Sequence, residues 1–238
     1  MKRVFVAAFV MIICLGILSG CSAGKTFSAY EMYEQSVKVI NEAGGFKAES
    51  SVEFLYPASG YSYTVSSGAD VNGDNWYLRL YESDIDWQLD MYVVDGIMYL
   101  TDGYDKIRFK AGEGERAPAI EEYLPELTYE LLENVEVEKN DDGFFFAIEP
   151  TVYILKAAFD GELSEFVNNE YVFANSVMTF SFDKNGIITG ILYSGEVIGD
   201  FSIDETTINI SAECVFTDAG TAPDVSAPAD AAEYETLE

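Results

Sequence analysis

The chain contains no histidine. That removes every Ser-His and Cys-His nucleophile–base pair and every site built on imidazole–metal bonds. Carboxylate, by contrast, is abundant, with 42 Asp and Glu. Acidic pairs at almost any spacing are then inevitable, so none can be singled out as the acid–base pair of a glycosidase, and each reads first as solvated acidic surface. Asp70-Val71-Asn72-Gly73-Asp74-Asn75 has the opening of a calcium loop. However, Asn75 stands where the sharp bend requires glycine and Tyr81 where the bidentate glutamate belongs, so the segment reads as a turn between strands. Phosphate-cradling loops, haem motifs and redox cysteine pairs are also lacking. No metal, no cofactor and no enzymatic activity is expected.

The residue with the clearest chemistry is Cys21. Lys2 and Arg3 precede an apolar run from Val4 to Leu18. As a helix that run would span about 22 Å, short of the roughly 30 Å hydrocarbon core, which fits an export signal better than a permanent span. Leu18-Ser19-Gly20-Cys21 then resembles the bacterial lipobox. The resemblance implies a diacylglycerol on the Cys21 sulfur and cleavage before it. Residues 1–20 would be a lipoprotein signal peptide and residues 21–26 a lipidated N-terminus and short tether. The protein would sit on the extracytoplasmic side of the cell membrane, with membrane lipid as its partner through Cys21. The alternatives are an ordinary signal peptide with a coincidental cysteine, or an uncleaved anchor. Each buried methylene contributes about 0.8 kcal/mol and one acyl chain holds only marginally, so stable attachment needs the two or three chains of a processed lipoprotein.

Charge limits the other partners. The chain has 13 Lys and Arg, for a formal charge of −29. Loss of residues 1–20 removes Lys2 and Arg3, leaving 11 basic against 42 acidic residues, or −31. Such a surface repels nucleic acid and anionic headgroups alike, so nucleic-acid binding is excluded and the lipid must do the anchoring. The 16 Tyr, 16 Phe and 2 Trp argue against disorder, since that much aromatic surface must be buried. Cys14 lies in the signal peptide and Cys21 would be acylated. Only Cys214 is left, which allows no intramolecular disulfide and reads as a core residue.

The elements that would position a site are legible from pattern. Ser28 and Glu31 form a capping box, with Phe27 and Met32 spaced for a hydrophobic staple. The helix they open carries Tyr30, Tyr33, Val37 and Ile40 and ends near Gly44-Gly45. Alternation then predicts strands: Val52, Phe54 and Tyr56; Trp76, Leu78 and Leu80; Trp87, Leu89, Met91 and Val93; with Asp95-Gly96 as a hairpin turn before Ile97 to Leu100 and a further strand at Lys106 to Lys110. A loop follows from Ala111 to Pro118. Leu124-Pro125-Glu126 is expected to open a short helix, Asn140-Asp141-Asp142-Gly143 to join a strand pair, and Thr151 to cap a helix carrying Ile154, Leu155, Ala158, Leu163 and Phe166. Met178, Phe180 and Phe182 alternate again, and after the turn Asp183-Lys184-Asn185-Gly186 the run Ile187, Thr189, Ile191 and Tyr193 returns. Ile208, Ile210, Ala212, Cys214 and Phe216 share one face of a final strand. The tail, 218–238, is acidic and rich in Ala and Pro, and is expected to be partly ordered at most. One domain over 27–217 is expected: α+β, with a large, curved, open barrel-like antiparallel sheet packed against a few helices.

This pattern resembles the outer-membrane lipoprotein carrier (LolA-like) superfamily, as found in lipoproteins of Gram-positive type. The resemblance rests on the lipobox, the helix over 28–42, the strands Asn75-Trp76-Tyr77-Leu78-Arg79 and Gln88-Leu89-Asp90-Met91-Tyr92, and Val94-Asp95-Gly96-Ile97-Met98-Tyr99. The hairpin at Phe182 to Gly186, the run Phe216-Thr217-Asp218-Ala219-Gly220 and the Val225 to Pro228 segment complete it. It implies an apolar cavity between sheet and helices and a non-enzymatic role in binding a lipid or other hydrophobic ligand. Candidate lining residues are Trp76, Leu78, Trp87, Leu89, Met91, Phe180 and Ile191, each of which reads first as core. The competing expectation is a solid scaffold, a structural or protein-interaction lipoprotein of envelope assembly or signalling; a hydrolase is a distant third.

Overall fold

A computed structural model of the chain describes residues 27–112, 116–120, 123–167, 171–202, 205–217 and 219–237. Cys21, with the signal peptide and tether expected over 1–26, lies outside the described residues. The first element is helix α1, Ala29–Ala43. Both halves of the capping box form: the Ser28 hydroxyl accepts from Glu31 N at 3.2 Å and Glu31 Oε2 accepts from Ser28 N at 3.3 Å. Gly44 ends the helix in the left-handed region, φ 70°. Met32 is buried, but Phe27 stays 42% exposed.

Strands follow in order: β1 Gly45–Tyr56, β2 Tyr61–Asn72, β3 Asn75–Glu82, β4 Trp87–Val94, β5 Ile97–Thr101 and β6 Lys106–Lys110. Helix α2, Tyr129–Leu132, leads to β7 Glu138–Lys139 and β8 Gly143–Ile148. Helix α3, Val152–Val167, precedes β9 Val172–Asp183, β10 Ile188–Ser202 and β11 Glu205–Thr217, and β12 Glu235–Thr236 comes last. The calcium-loop-like segment is the tight turn between β2 and β3, closed by the Asn72–Asn75 pair, with Gly73 at φ 58°. Asp95 and Gly96 both take positive φ, as a two-residue hairpin turn of right-handed twist requires.

The twelve strands of the described residues form one sheet in the order β12-β6-β5-β4-β3-β2-β1-β11-β10-β9-β8-β7. Its pairings are antiparallel except β12 with β6. The ends, β12 and β7, do not pair with each other, so the sheet is open, as expected, and not curled into a true barrel. The α+β class and the packing of a large sheet on a few helices are as expected.

The inner face of the sheet carries two different surfaces. Over β8 to β11 and β1 it is solid core: Phe146, Phe180, Ile191, Val52, Phe54 and Cys214 are all 0–1% exposed. Helix α1 closes it, with Tyr33 edge-on to Phe180 at 5.7 Å and its hydroxyl donating to Pro125 O at 2.5 Å. Buried Ser36 accepts from Ile188 N at 2.6 Å. Over β3 to β6 the cover thins, and Leu78, Leu80, Leu89, Met91, Leu100, Ile107 and Phe109 are only half-buried.

Three local expectations shift. Helix α2 begins at Tyr129, capped by Thr128 Oγ1, and Leu124 and Leu127 are buried in the non-helical approach to it. In β10 a register irregularity between Ile188 and Gly190 turns Ile188 inward and leaves Thr189 outside, so the expected Ile187–Thr189–Ile191 face does not form. The tail beyond Asp218 crosses to the other face. Asn72 Nδ2 donates to Pro223 O at 2.8 Å, Val225 and Tyr234 are buried, and β12 pairs along β6.

Candidate functional site

At the boundary between the two inner surfaces lies a cleft of about 840 Å³. Its origin is in side-chain size. On β1 and β2 the paired inner positions Ala48–Ala69 and Ser50–Ser67 are all small, whereas Phe46–Val71, Val52–Val65 and Phe54–Tyr63 on either side are large. Aromatic contacts mark the two ends: Phe46 against Tyr123 at 5.3 Å, and Phe54 stacked on Tyr63 at 4.7 Å.

One wall is the sheet: Val65 and Ser67 of β2, Leu78, Leu80 and Glu82 of β3, and Trp87 of β4. The register Glu82–Trp87 and Val65–Glu82 sets Glu82 at the mouth, flanked by Val65 and Trp87. The opposite wall is Tyr153, Lys156, Ala157 and Ala158 of α3, with Arg116, Pro118 and Tyr123 from the segment after β6. Helix α3 departs from helical geometry at Phe159, φ −142° and ψ 40°, immediately after Ala157 and Ala158. Phe159 is 1% exposed and leans on Tyr193, with ring centroids 6.5 Å apart.

Trp87 is 37% exposed and Tyr153 66% exposed, so both aromatic walls are open to solvent. On the floor, Ser50 is 5% exposed and its Oγ has no hydrogen-bond partner. A buried hydroxyl left unsatisfied costs about 1–3 kcal/mol.

The outer face behind the cleft is polar and self-contained. Asp90 accepts from the Tyr77 hydroxyl at 2.5 Å, from Gln88 Nε2 at 2.5 Å and from Arg79 Nε at 3.3 Å, and Tyr77 stacks on Tyr92 at 4.4 Å. Burial and the Asp90 bond push the Tyr77 phenol well above its ordinary range. Arg79 and Tyr81 border the cleft along β3, but Arg79 spends its charge on this outer cluster.

Of the residues proposed from sequence as lining, Leu78 and Trp87 face the cleft. Leu89 and Met91 lie half-buried on the same face, beside it. Trp76, Phe180 and Ile191, at 4%, 0% and 0% exposure, belong to the packed core, where Phe180 meets Tyr33 of α1 and Phe146 of β8. Sequence reasoning missed Ser50, Ser67, Arg116, Tyr153 and Lys156. The signal available was the run of small residues, Ser50-Ser51 and Ser66-Ser67-Gly68-Ala69, inside strands otherwise rich in bulky side chains. Among the described residues no group of three or more His, Cys, Asp or Glu is placed to hold a metal ion. Among them, too, no helix is long and apolar enough to cross a membrane.

No family model matches the chain, and no curated protein matches it. Solved structures to which it is similar include LprF from Mycobacterium bovis, at 10% identity over 83% of this chain and 96% of that one, with a TM-score of 0.42. A LolA superfamily protein from Nitrosomonas europaea is similar at 10% identity over 84% of this chain and 96% of that one, with a TM-score of 0.29. At such values the likeness carries no functional argument.

Proposed function

We propose that the protein is a lipoprotein anchored through acylated Cys21 on the extracytoplasmic side of the cell membrane, without catalytic activity, that holds a lipid or other hydrophobic group in the cleft between β2–β4 and α3. The observation that carries this reading is the placement of Trp87, Leu78 and Leu80, large apolar side chains left half-covered along one wall of an 840 Å³ cleft. Natural ligand pockets fall at about 300–1,000 Å³ and combine an apolar lining with a few polar groups, as here. The resemblance of the sequence pattern to LolA-like proteins agrees with it.

Native mass spectrometry of the protein released gently from its own envelope tests the reading. A co-purifying lipid-sized mass is expected, together with uptake of a fluorescent acyl probe. Ser67→Phe fills the hollow floor and is expected to abolish that uptake, at a stability cost of about 1–3 kcal/mol that leaves the protein folded by circular dichroism. A bare polypeptide that takes up no probe would instead favour the solid-scaffold alternative, for which the packed inner face over β8 to β11 is the supporting observation. For the anchor, Cys21→Ala should release the protein from membranes and remove the acyl mass; unchanged membrane association would sink that part of the proposal.

A further inference from the structure

The small inner positions that open the cleft are not chemically alike. Ala48–Ala69 is an apolar pair, whereas the next pair along, Ser50–Ser67, carries hydroxyls. Making room needs only a small side chain, as the alanines show. Serine at 50 adds a hydroxyl that is buried with no hydrogen-bond partner, a cost in stability that alanine would not carry. Among the described residues one other buried side-chain atom, Trp76 Nε1, is in the same condition, but Trp76 is not a lining residue of the cleft. Ser50 is.

The surroundings narrow what can meet this hydroxyl. Ser50 is held in register on both sides, against Ser67 of β2 and Cys214 of β11, so the strand stays where it is. The hydroxyl turns about a single side-chain bond and reaches a group in the cleft without backbone movement. Its neighbours along the inner face of β1, Ala48 and Val52, are apolar and fully buried. An ionised group brought beside them would lose its hydration in return for one hydrogen bond, so a neutral group fits better. A carbonyl oxygen needs only to accept, whereas a hydroxyl would bring a proton that needs an acceptor of its own.

Resting on the reading above, we infer that Ser50 determines specificity, and that the occupant is a hydrocarbon chain bearing an uncharged carbonyl. Ser50 Oγ donates to that carbonyl at the floor, while the chain lies along Leu78, Leu80 and Trp87. The shared chemistry is a neutral C=O on an apolar chain, supplied either by an ester or by a ketone. A donor fixed on a central strand is already in place before the ligand arrives, so little ordering is left to oppose binding.

The test uses the full acylated chain in neutral detergent and three probes of equal chain length, each brominated along the chain: a methyl ester, a methyl ketone and an alkane. Quenching of Trp87, with buried Trp76 as the shielded reference, reports occupancy. One or both carbonyl probes should bind about tenfold tighter than the alkane, and which of the two leads identifies the source. The infrared stretch of an isotope-labelled carbonyl should move to lower frequency on binding, as it accepts the bond. Ser50→Ala should bring the carbonyl probes down to the affinity of the alkane and abolish that frequency shift, while alkane binding persists and shows the variant to be folded. Ser50→Cys, of similar size but a far weaker donor, should lose the preference likewise. Equal binding of all three probes, or a preference or frequency shift that survives Ser50→Ala, overturns the inference and leaves the cleft reading intact. Failure of every probe to quench Trp87 overturns both.

Discussion

At the scale of single residues, the molecule hides less of its logic than its composition suggests. Ser28 and Glu31 were readable as a capping box because every atom involved lies within four residues. Ser50 was not, because its meaning depends on Ser67 across a strand pair and on helices far along the chain. Its unpartnered hydroxyl makes a definite prediction. Ser50→Ala removes a buried polar group that has no hydrogen bond to lose, so the ligand-free protein should be equally stable or more stable by up to about 1 kcal/mol, measured by urea unfolding. A loss of more than that would mean the hydroxyl is satisfied in solution. Cys214 follows the opposite pattern: the alternation Ile208, Ile210, Ala212, Cys214, Phe216 placed it inside from sequence alone, and all five are 5% exposed or less.

At the scale of elements, alternation and turn chemistry located the strands well, because a hairpin is specified by the residues it joins. The β10 irregularity broke the pattern where backbone geometry, not side-chain type, decided the face. The tail was the least legible element, being poor in large apolar side chains, yet a few contacts fix it. Lys106 Nζ meets Asp230 at 2.5 Å and Glu233 at 2.6 Å, and Tyr234 packs edge-on to Tyr99 at 5.4 Å. Leu237 N donates to Arg108 O at 2.9 Å beside the β12–β6 pairing. Deleting 229–237 should therefore uncover the β6 edge and the Tyr99 ring, lowering stability and giving concentration-dependent association by light scattering. A truncated protein that stays monomeric with an unchanged unfolding midpoint would show the strap to be dispensable. The Lys106 bond holds the Asp230 carboxyl below its ordinary value of 3.8. The strap's contribution is thus complete above that pH and fades as pH falls below it.

At the scale of the whole molecule, fold class was legible and the site only in part, through Leu78 and Trp87 of the sheet wall. Strand rhythm reports which residues face inward, whereas a cleft depends on where helical cover stops, and that is set by α1, α3, residues 116–120 and Tyr123 packing on distant strands. The same global burial sets the response to alkali. Tyr33 and Tyr77 are pushed above their ordinary value of 10.0 chiefly by burial, as are Tyr92 and Tyr193, and Tyr234 is pushed up to about 12. In the unfolded chain these phenols ionise near 10, so between there and the folded values the unfolded state has released protons that the native state still holds. Stability is then fully present below about pH 10 and falls as pH rises through the folded values. Urea midpoints should hold steady to about pH 10 and drop beyond it, with tyrosinate absorbance appearing in step with unfolding. Early absorbance from the folded protein would contradict this.

Burial of Cys214 on β11, between β1 and β10, has a kinetic consequence as well. Among the described residues the one cysteine, Cys214, sits on a central strand, shielded from any reagent until the sheet parts. Thiol labelling then becomes a clock for the rarest opening of the molecule, ticking at the rate at which its central strands separate. Fraying of the tail or of the cleft walls would leave that clock untouched.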